Sequence, residues 1–345
     1  MNYKLFVAAI FISFASCKSG KKIPDVSKVD VKLSTQHFER DFFTLDTLNI
    51  DAGMQKIYEK YPAFSVDFMQ NILGVAPQPD TMIQMIKLFS KDYSSVYNET
   101  EKRFKDFSVE ENEIKKGFQF VKYYFPNYNL PNKLVTYLGP WDARFMLSDN
   151  TSISGVFRDA DMIGIGLQLS LGKDFPVYKQ EQFQQLYPNF INRRFEREYI
   201  PVNVLNVIID DLYADKNLGK PLVEQMIEAG KRMYLLDAFL PNVADTLKIG
   251  YTKAQLDGCY KNEANIWSFF ITNDFVFVTE PAITKDYMTD APNTAVLGDA
   301  SPGFIGKFIG WQIVKKWMSN NEKTSLEQLL KTPAKQIFQE SKYKP

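Results

Sequence analysis

The chain has 345 residues, of which 45% are hydrophobic and 14% aromatic, so it can bury a sizeable core in one or two domains. It carries 41 Lys and Arg residues and 41 Asp and Glu residues. This balance leaves no net positive field to attract polyanions, which argues against a nucleic-acid-binding protein.

The N-terminus has the pattern of a secretory signal. Lys4 precedes the apolar run LFVAAIFISF at residues 5–14, which is too short to span a bilayer. Small residues and Cys17 follow this run in the segment FASCKSG, which resembles a bacterial lipobox. We therefore predict a signal peptide over residues 1–16 and attachment of lipid to Cys17.

Lipid on Cys17 would anchor the mature protein to a membrane surface. Several acyl chains on one residue give stable attachment, whereas a single chain gives only marginal binding. Residues 17–30 are then a lipidated N-terminus and polar linker, ahead of a globular domain over residues 31–345. The alternative is an ordinary signal peptide in which the cysteine has no role.

Cysteine and histidine are scarce in this chain. Lipidation of Cys17 leaves Cys259 as the one other thiol, so no intramolecular disulfide forms and stability comes from the core. His37 is the single histidine, which excludes a zinc site of the HExxH type and leaves serine or cysteine nucleophiles without an evident base. We therefore predict no metal and no cofactor, and we interpret Cys259 as a packing residue.

Helical periodicity dominates the first part of the domain. After an extended segment at residues 31–46, amphipathic helices are predicted at 51–61, 64–73, 80–90, 92–106 and 109–125. The period then changes, and strands are predicted at 133–139, 152–157 and 161–172. Helices return at 178–186, 188–197, 201–213, 220–238, 252–272, 304–319 and 324–341.

The predicted elements indicate one α+β domain. No repeat, low-complexity tract or break in composition divides the mature chain. The economical interpretation is a mostly helical single domain around a small antiparallel sheet.

The strand predicted at residues 161–172 has two unlike faces. Alternate positions place isoleucine and leucine on one face, and glycine, serine and Gln168 on the other. Glycine weakens a strand unless something approaches the backbone closely. The bare face therefore packs against a helix, which the pattern favours, or binds another chain or a ligand. In the second case Gln168 would line a groove, so it is a groove candidate.

Carboxylates are the catalytic groups that remain available. In the helix predicted at 252–272, Trp267 follows Glu263 by one turn, so an acid and an aromatic ring share a face. Glycosidases combine paired carboxylates with aromatic platforms, but the sequence defines no second acid at a fixed separation. Glu263 and Trp267 are therefore groove candidates, either in an envelope hydrolase or as polar and aromatic contacts of the core.

The segment SPGFIGKFIGWQIVKKW at residues 301–317 has the glycines of a phosphate-binding loop but not its order. Phe308 stands where a Walker motif requires Ser or Thr. Ser301 and Pro302 instead predict an N-cap and a first-turn proline. Close backbone packing is then predicted on the side of the helix that carries Gly303, Gly306 and Gly310.

Several segments together resemble the gliding-motility lipoprotein family GldB. They span nearly all of the mature chain: IGLQLSLGKDFPVY (165–178), YPNFINRRFEREYI (187–200), MIEAGKRMYLLDAFLP (226–241), NEANIWSFF (262–270) and PGFIGKFIGWQIVKKW (302–317). The resemblance implies a cell-envelope lipoprotein required for surface gliding in bacteria of the Bacteroidota group, whose machinery is coupled to protein secretion across the outer membrane. Its partners would be the membrane, through the lipid, and other proteins of that machinery.

The chain is also distantly similar to zincin-like peptidases, in which a strand precedes an active-site helix. The helix predicted at 201–213, PVNVLNVIIDDLY, departs from the metal motif in every register, because it offers no ligands four residues apart with a glutamate beside the first. Glu228 lies in a segment that is similar to the helix carrying a third, glutamate metal ligand in those peptidases, but here it would have no other metal ligands to join. The resemblance implies a degenerate scaffold whose sheet edge could still hold an extended peptide.

We therefore expect a non-catalytic, membrane-anchored component of gliding motility and the associated secretion machinery. An envelope hydrolase that acts on glycan or peptide through Glu263 is the alternative. A solute-binding lipoprotein is less favoured, because the two-lobed α/β alternation is missing. The basic segment KSGKK after Cys17 differs from the acidic residues that resemble a surface-export signal, so we predict a periplasm-facing anchor.

Overall fold

The computed structural model of the chain describes residues 23–75, 78–142, 154–217 and 219–345. The predicted signal peptide and Cys17 lie outside these ranges, as do the first two residues of the strand predicted at 152–157. Among the described residues, none of the helices combines the length and the apolar character that a membrane span requires.

The sheet of this fold has four strands and is mixed. The strands are β1 (Ser34–His37), β2 (Lys133–Tyr137), β3 (Val156–Asp159) and β4 (Met162–Gly166). Their order is β1-β2-β4-β3, with β1 and β4 both parallel to β2, and β3 antiparallel to β4. The predicted class, a mostly helical α+β domain, is confirmed, but the prediction that the sheet is antiparallel is wrong.

The directions of the strands follow from their connections. A series of helices forms the crossover from β1 to β2, and parallel neighbours need such a long connection. β3 and β4 are joined by Ala160 and Asp161 alone, and they form the antiparallel pair. The sequence pattern predicts strands but not their direction, because side chains alternate in the same way in both arrangements.

Helices form most of the remaining fold. Those between β1 and β2 are α1 (Phe38–Phe43), α2 (Ile50–Lys60), α3 (Pro62–Asp67, continued by a π-helical turn over Phe68–Ile72), α4 (Pro79–Asp92), α5 (Ser94–Arg103) and α6 (Ser108–Tyr124). Those after β4 are α7 (Glu181–Leu186), α8 (Asn189–Asn192), α9 (Ile200–Leu212), α10 (Leu222–Phe239), α11 (Asp245–Ile249), α12 (Lys253–Lys261), α13 (Glu263–Thr272), α14 (Pro281–Met288), α15 (Ile305–Asn320), α16 (Leu326–Lys331) and α17 (Ala334–Ser341).

The structure divides two of the predicted helices. The helix predicted at 252–272 is α12 and α13, which meet at Asn262. The helix predicted at 324–341 is α16 and α17, and Pro333 precedes α17, where its missing N–H costs no helical hydrogen bond. The sequence pattern does not predict α11 and α14, which are short helices of five and eight residues, and it predicts as extended the segment that contains α1.

One face of the sheet is covered by aromatic side chains from the helices that follow β1. This buried cluster joins α1, α3 and the π-helical turn to the sheet through Phe38, Phe42, Phe64, Phe68, Val135, Tyr137 and Phe157. The Phe157 ring covers Gly164, where a Cβ atom would lie 2.3 Å from the ring. The glycine face of β4 is therefore filled by the protein itself, and β4 has no free edge because β2 and β3 flank it.

The opposite face of the sheet packs against the larger core. Leu134 of β2 and Ile163 and Ile165 of β4 are buried there. α9 contacts β3, α6 and α10, so it connects the sheet to the C-terminal helices. The alternation predicted for β4 continues only to Gly166, after which the chain forms the 3-10 helix Leu167–Leu169.

α10 and α15 pack by direct backbone contact. A Cβ atom on Gly310 would lie 1.6 Å from the carbonyl oxygen of Met226, and one on Gly230 would lie 2.1 Å from the carbonyl oxygen of Gly310. Gly306 approaches α14, where a Cβ atom would lie 3.0 Å from the carbonyl oxygen of Tyr287. The predicted packing face is confirmed at Gly306 and Gly310, since a side chain at Gly310 would occupy the backbone of α10.

The start of α15 differs from the sequence prediction. The helix begins at Ile305, so Ser301, Pro302 and Gly303 precede it. The Ser301 hydroxyl donates a hydrogen bond to the carbonyl oxygen of Gly298 at 2.6 Å and so stabilises the loop that precedes the helix. The predicted N-cap and first-turn proline are therefore wrong, because the hydroxyl that would cap the helix is used in this loop.

Polar side chains add a second link between α10 and α15. Asp237 of α10 accepts a hydrogen bond from the Trp311 indole at 2.7 Å, and it pairs with Lys248 of α11 at 2.6 Å. The ammonium group of Lys315 lies 3.3 Å from the centroid of the Trp311 ring. These contacts offset the cost of removing the charges of Asp237 and Lys248 from water.

We predict that Gly310→Ala destabilises the fold by about 3 kcal/mol or more, because the added methyl group forces α10 and α15 apart. Gly258 of α12 provides the matched control, since a Cβ atom there would meet nothing within 4 Å. Gly258→Ala should stabilise the fold by about 0.5–1 kcal/mol through helix propensity. Urea unfolding monitored by circular dichroism measures both changes, and a Gly310→Ala variant as stable as the wild type would contradict the packing.

Candidate functional site

A polar cleft lies between α9, α10, α14 and the start of α15. It consists of two cavities with volumes of about 270 and 480 Å³. Both cavities are lined by Asn206, Asp210, Lys248, Phe304 and Lys307, so they are parts of one depression. A depression of this size with converging polar groups is the usual form of a binding site.

α9 supplies one wall of the cleft because it is amphipathic. Polar residues recur on one side of the helix at spacings of three and four, and the cleft is lined there by Asn203, Asn206, Val207 and Asp210. The other side is apolar and packs in the core through Val204, Leu205, Ile208 and Ile209. The same segment is the helix that departs from the zincin metal motif, and its polar face carries carboxamides and one carboxylate.

Most charges in the wall of the cleft are paired. Arg194 forms an ion pair with Asp290, and Arg232 forms one with Asp210. Burial lowers the pKa of Arg232 to about 10. Lys248 pairs with acidic residues of α10 and α11 that lie behind the wall.

Lys307 is the exception among the half-buried cations of the cleft. No acidic group of the described residues lies within ion-pair distance of its ammonium group. The ammonium nitrogen lies 4.8 Å from the centroid of the Phe304 ring. Burial, and to a smaller extent the nearby Arg194, lowers the pKa of Lys307 to about 8.

Phe304 has an unusual backbone conformation at the edge of the cleft. Its φ angle is 54°, in the left-handed region that residues other than glycine rarely adopt. The Tyr251 hydroxyl donates to the Phe304 carbonyl oxygen at 2.9 Å. This hydrogen bond helps to hold the strained residue, whose ring is thereby placed beside Lys307.

The three groove candidates from the sequence do not form one site. Glu263 accepts a hydrogen bond from the Tyr343 hydroxyl at 2.6 Å, and the buried Trp267 packs edge-to-face on the Tyr343 ring. These contacts attach α13 to the C-terminal segment. Gln168 is 1% exposed and lies beside Tyr137, so it lines no open groove.

His37 and Cys259 also lie away from the cleft lining. The Nδ1 atom of His37 is 2.9 Å from the Thr136 hydroxyl and 3.3 Å from the Glu39 carboxylate, at the end of β1. Cys259 is buried, and burial raises the pKa of its thiol to about 12, as expected for a packing residue. In the described part of the chain, no group of three or more His, Cys, Asp and Glu side chains is arranged to hold a metal ion.

Glu228 has partners that the sequence does not reveal. It accepts a hydrogen bond from the Tyr213 hydroxyl and pairs with Lys231 at 3.3 Å and with Lys220 at 3.4 Å. The buried Lys231 also donates to the carbonyl oxygen of Thr332 at 2.8 Å, and burial lowers its pKa. These partners give Glu228 a structural role, since the network joins α10 to the segments around it.

The sequence pattern does not reveal the cleft or the place of Lys307 in it. The one available signal is that Lys307 stands alone between Phe304, Ile305, Phe308 and Ile309 in an otherwise apolar stretch. An isolated lysine there is ambiguous, because its long side chain can also extend to solvent. The structure resolves this ambiguity by placing the ammonium group in the cleft.

Comparison with known proteins identifies the family of the chain. The model of the family described as gliding motility protein GldB, a lipoprotein family, matches residues 19–345. No curated protein and no solved structure matches the chain, so the similarity to zincin-like peptidases stays a prediction. Because the match covers nearly the whole chain, the protein belongs to the gliding motility protein GldB family.

Proposed function

We propose that this protein is a lipid-anchored, non-catalytic component of the bacterial gliding machinery and of the protein secretion associated with it. The observation that carries the proposal is the family match over residues 19–345. A match of that extent includes both the sheet and the C-terminal helices and is therefore more than an isolated motif. The protein then contributes to motility by binding other components at the membrane.

The chemistry of the cleft supports a binding role. Two of its acidic groups, Asp210 and Asp290, are each held in an ion pair with an arginine of the wall. The single histidine of the chain, His37, is hydrogen-bonded at the sheet and does not line the cleft. A cleft with paired charges and free carboxamides is suited to hold a ligand.

The proposed anchor rests on the sequence of the N-terminus. Cys17 follows an apolar run and two small residues, as the lipobox requires, and the basic segment KSGKK follows it. We infer a lipid on Cys17 and a periplasm-facing orientation, because acidic residues of the surface-export type are missing from this segment. The domain would then meet its protein partners within the envelope.

We predict that Cys17→Ala releases the protein from membranes and abolishes gliding, because the acyl chains have no other attachment point. Ser19→Ala, two residues beyond the lipid site, is the matched control and should leave both properties unchanged. Fractionation of cells followed by immunoblotting, together with colony spreading, measures the effect. Mutant protein that still pellets with membranes in gliding cells would refute the anchor.

The alternative of a hydrolase acting through Glu263 is tested by Glu263→Gln. We expect normal gliding and a loss of stability of at most about 1 kcal/mol, because the glutamine carbonyl can still accept the Tyr343 hydrogen bond. Tyr343→Phe removes the same hydrogen bond and serves as the packing control. Loss of gliding by Glu263→Gln but not by Tyr343→Phe, in folded proteins, would favour the hydrolase over a non-catalytic role.

A further inference from the structure

We propose that the cleft between α9, α10 and the start of α15 binds the carboxyl terminus of a polypeptide, with Lys307 as the counter-ion of the terminal carboxylate. This inference goes beyond the proposed role in gliding, because it assigns a class of ligand to one site. It stands whether or not Cys17 carries a lipid.

The charges around the cleft favour a ligand with a single negative charge. Arg194 and Arg232 have carboxylate partners in the wall, and Lys248 has partners behind it. Lys285 lines the larger cavity, but its side chain is exposed to solvent. Among the described lining residues, Lys307 therefore contributes the cation that is withdrawn from water without an ion-pair partner, and Asp290 acts on it only from a longer distance.

A dianion such as phosphate fits this cleft less well than a carboxylate. The carboxylates of Asp210 and Asp290 line the same cavity as Lys307, and they would repel additional negative charge. A carboxylate places one charge against one ammonium group. That pairing also offsets the desolvation cost of Lys307, since a half-buried charge is stabilised by a close partner of opposite sign.

The remaining polar groups of the wall match the backbone of a peptide. Asn203 and Asn206 present carboxamides from α9, and neither has a side-chain hydrogen bond to the described part of the protein. A carboxamide both donates and accepts, so it can bind the N–H and C=O groups that precede a terminal carboxylate. These two residues lie in the same cavity as Lys307.

Apolar side chains in the smaller cavity provide a surface for the last side chain of the peptide. The lining there includes Ile191, Phe195, Val202, Leu247 and Ile249. Burial of an apolar side chain adds affinity that a free carboxylate ion lacks. The combination of one cation, two carboxamides and an apolar surface therefore favours a peptide terminus over a small organic acid.

The titration of Lys307 gives the proposed site a characteristic pH dependence. Because the ammonium form binds the carboxylate, the affinity for the peptide is highest and constant below a pH of about 8. Above that pH it falls by about tenfold per pH unit. The charged and titratable groups that face the same cleft are Arg194, Tyr199, Asp210, Asp215, Arg232, Lys248, Lys285 and Asp290. Burial raises the pKa of Tyr199, so its hydroxyl keeps its proton across this pH range.

The test uses the full-length protein in detergent and two pools of fluorescein-labelled random hexapeptides. One pool ends in free carboxylates and the other in amides, and fluorescence anisotropy at pH 7 measures their binding. We expect the free-acid pool to bind at least about tenfold more tightly, as expected for the loss of one desolvated ion pair. Millimolar N-acetylalanine should compete with the free-acid pool.

Three substitutions make the test specific. Lys307→Met should remove the preference for free acids without lowering the melting temperature, because it deletes a charge that burial destabilises. Lys307→Arg should retain the preference and lose the decline above pH 8, since arginine stays charged. Lys316→Met changes an exposed lysine of the same helix and should behave as wild type.

Three results would overturn the proposal. Equal binding of the two pools, or binding of neither, would show that the cleft does not recognise a terminal carboxylate. A Lys307→Met protein with an unchanged preference would exclude Lys307 as the counter-ion. Binding of N-acetylalanine without binding of either peptide pool would overturn the assignment to a polypeptide. None of these results depends on membrane attachment or gliding, so failure here is distinct from failure of the proposed function.

Discussion

The backbone contact between α10 and α15 is the constraint on which the C-terminal part of the structure depends. At Gly230 and Gly310 the two helices approach so closely that neither position has space for a Cβ atom. This close contact fixes the position of α15 relative to α10, and the Asp237 carboxylate of α10 then accepts a hydrogen bond from the Trp311 indole of α15. Packing of this kind is stiff, because small changes in volume at a backbone contact cannot be absorbed by side-chain rotation.

The cleft is a consequence of that helix pair. α10 carries Arg232 into one wall, and the start of α15 carries Lys307 into another, beside Phe304, which directly precedes the helix. The ion pair between Arg232 and Asp210 connects this pair of helices to α9, which in turn contacts the sheet. A binding site that is built from rigid helices keeps its polar groups in fixed positions, which is what recognition of a ligand requires.

Local features of the chain could be predicted from the sequence, whereas arrangements over long distances could not. The alternation in β4 and the glycine spacing around Gly310 are local patterns, and the structure has a packed strand and a close helix contact at those positions. The parallel direction of β1 depends on a crossover through six helices, which no local pattern encodes. The cleft around Lys307 likewise forms only where α9, α10 and α14 converge. The N-cap pattern at Ser301 does not include Gly298, whose carbonyl oxygen accepts the hydrogen bond of the Ser301 hydroxyl.

Native-state hydrogen exchange measures directly whether α10 and α15 form the single cooperative unit that holds the cleft together. Amides of the two helices that flank Gly230 and Gly310 should exchange with the same free energy of opening, close to that of global unfolding, because neither helix can leave without breaking the shared backbone contact. Exchange of α15 at a free energy several kcal/mol below that of α10 would contradict this, since it would mean that α15 opens while α10 remains folded.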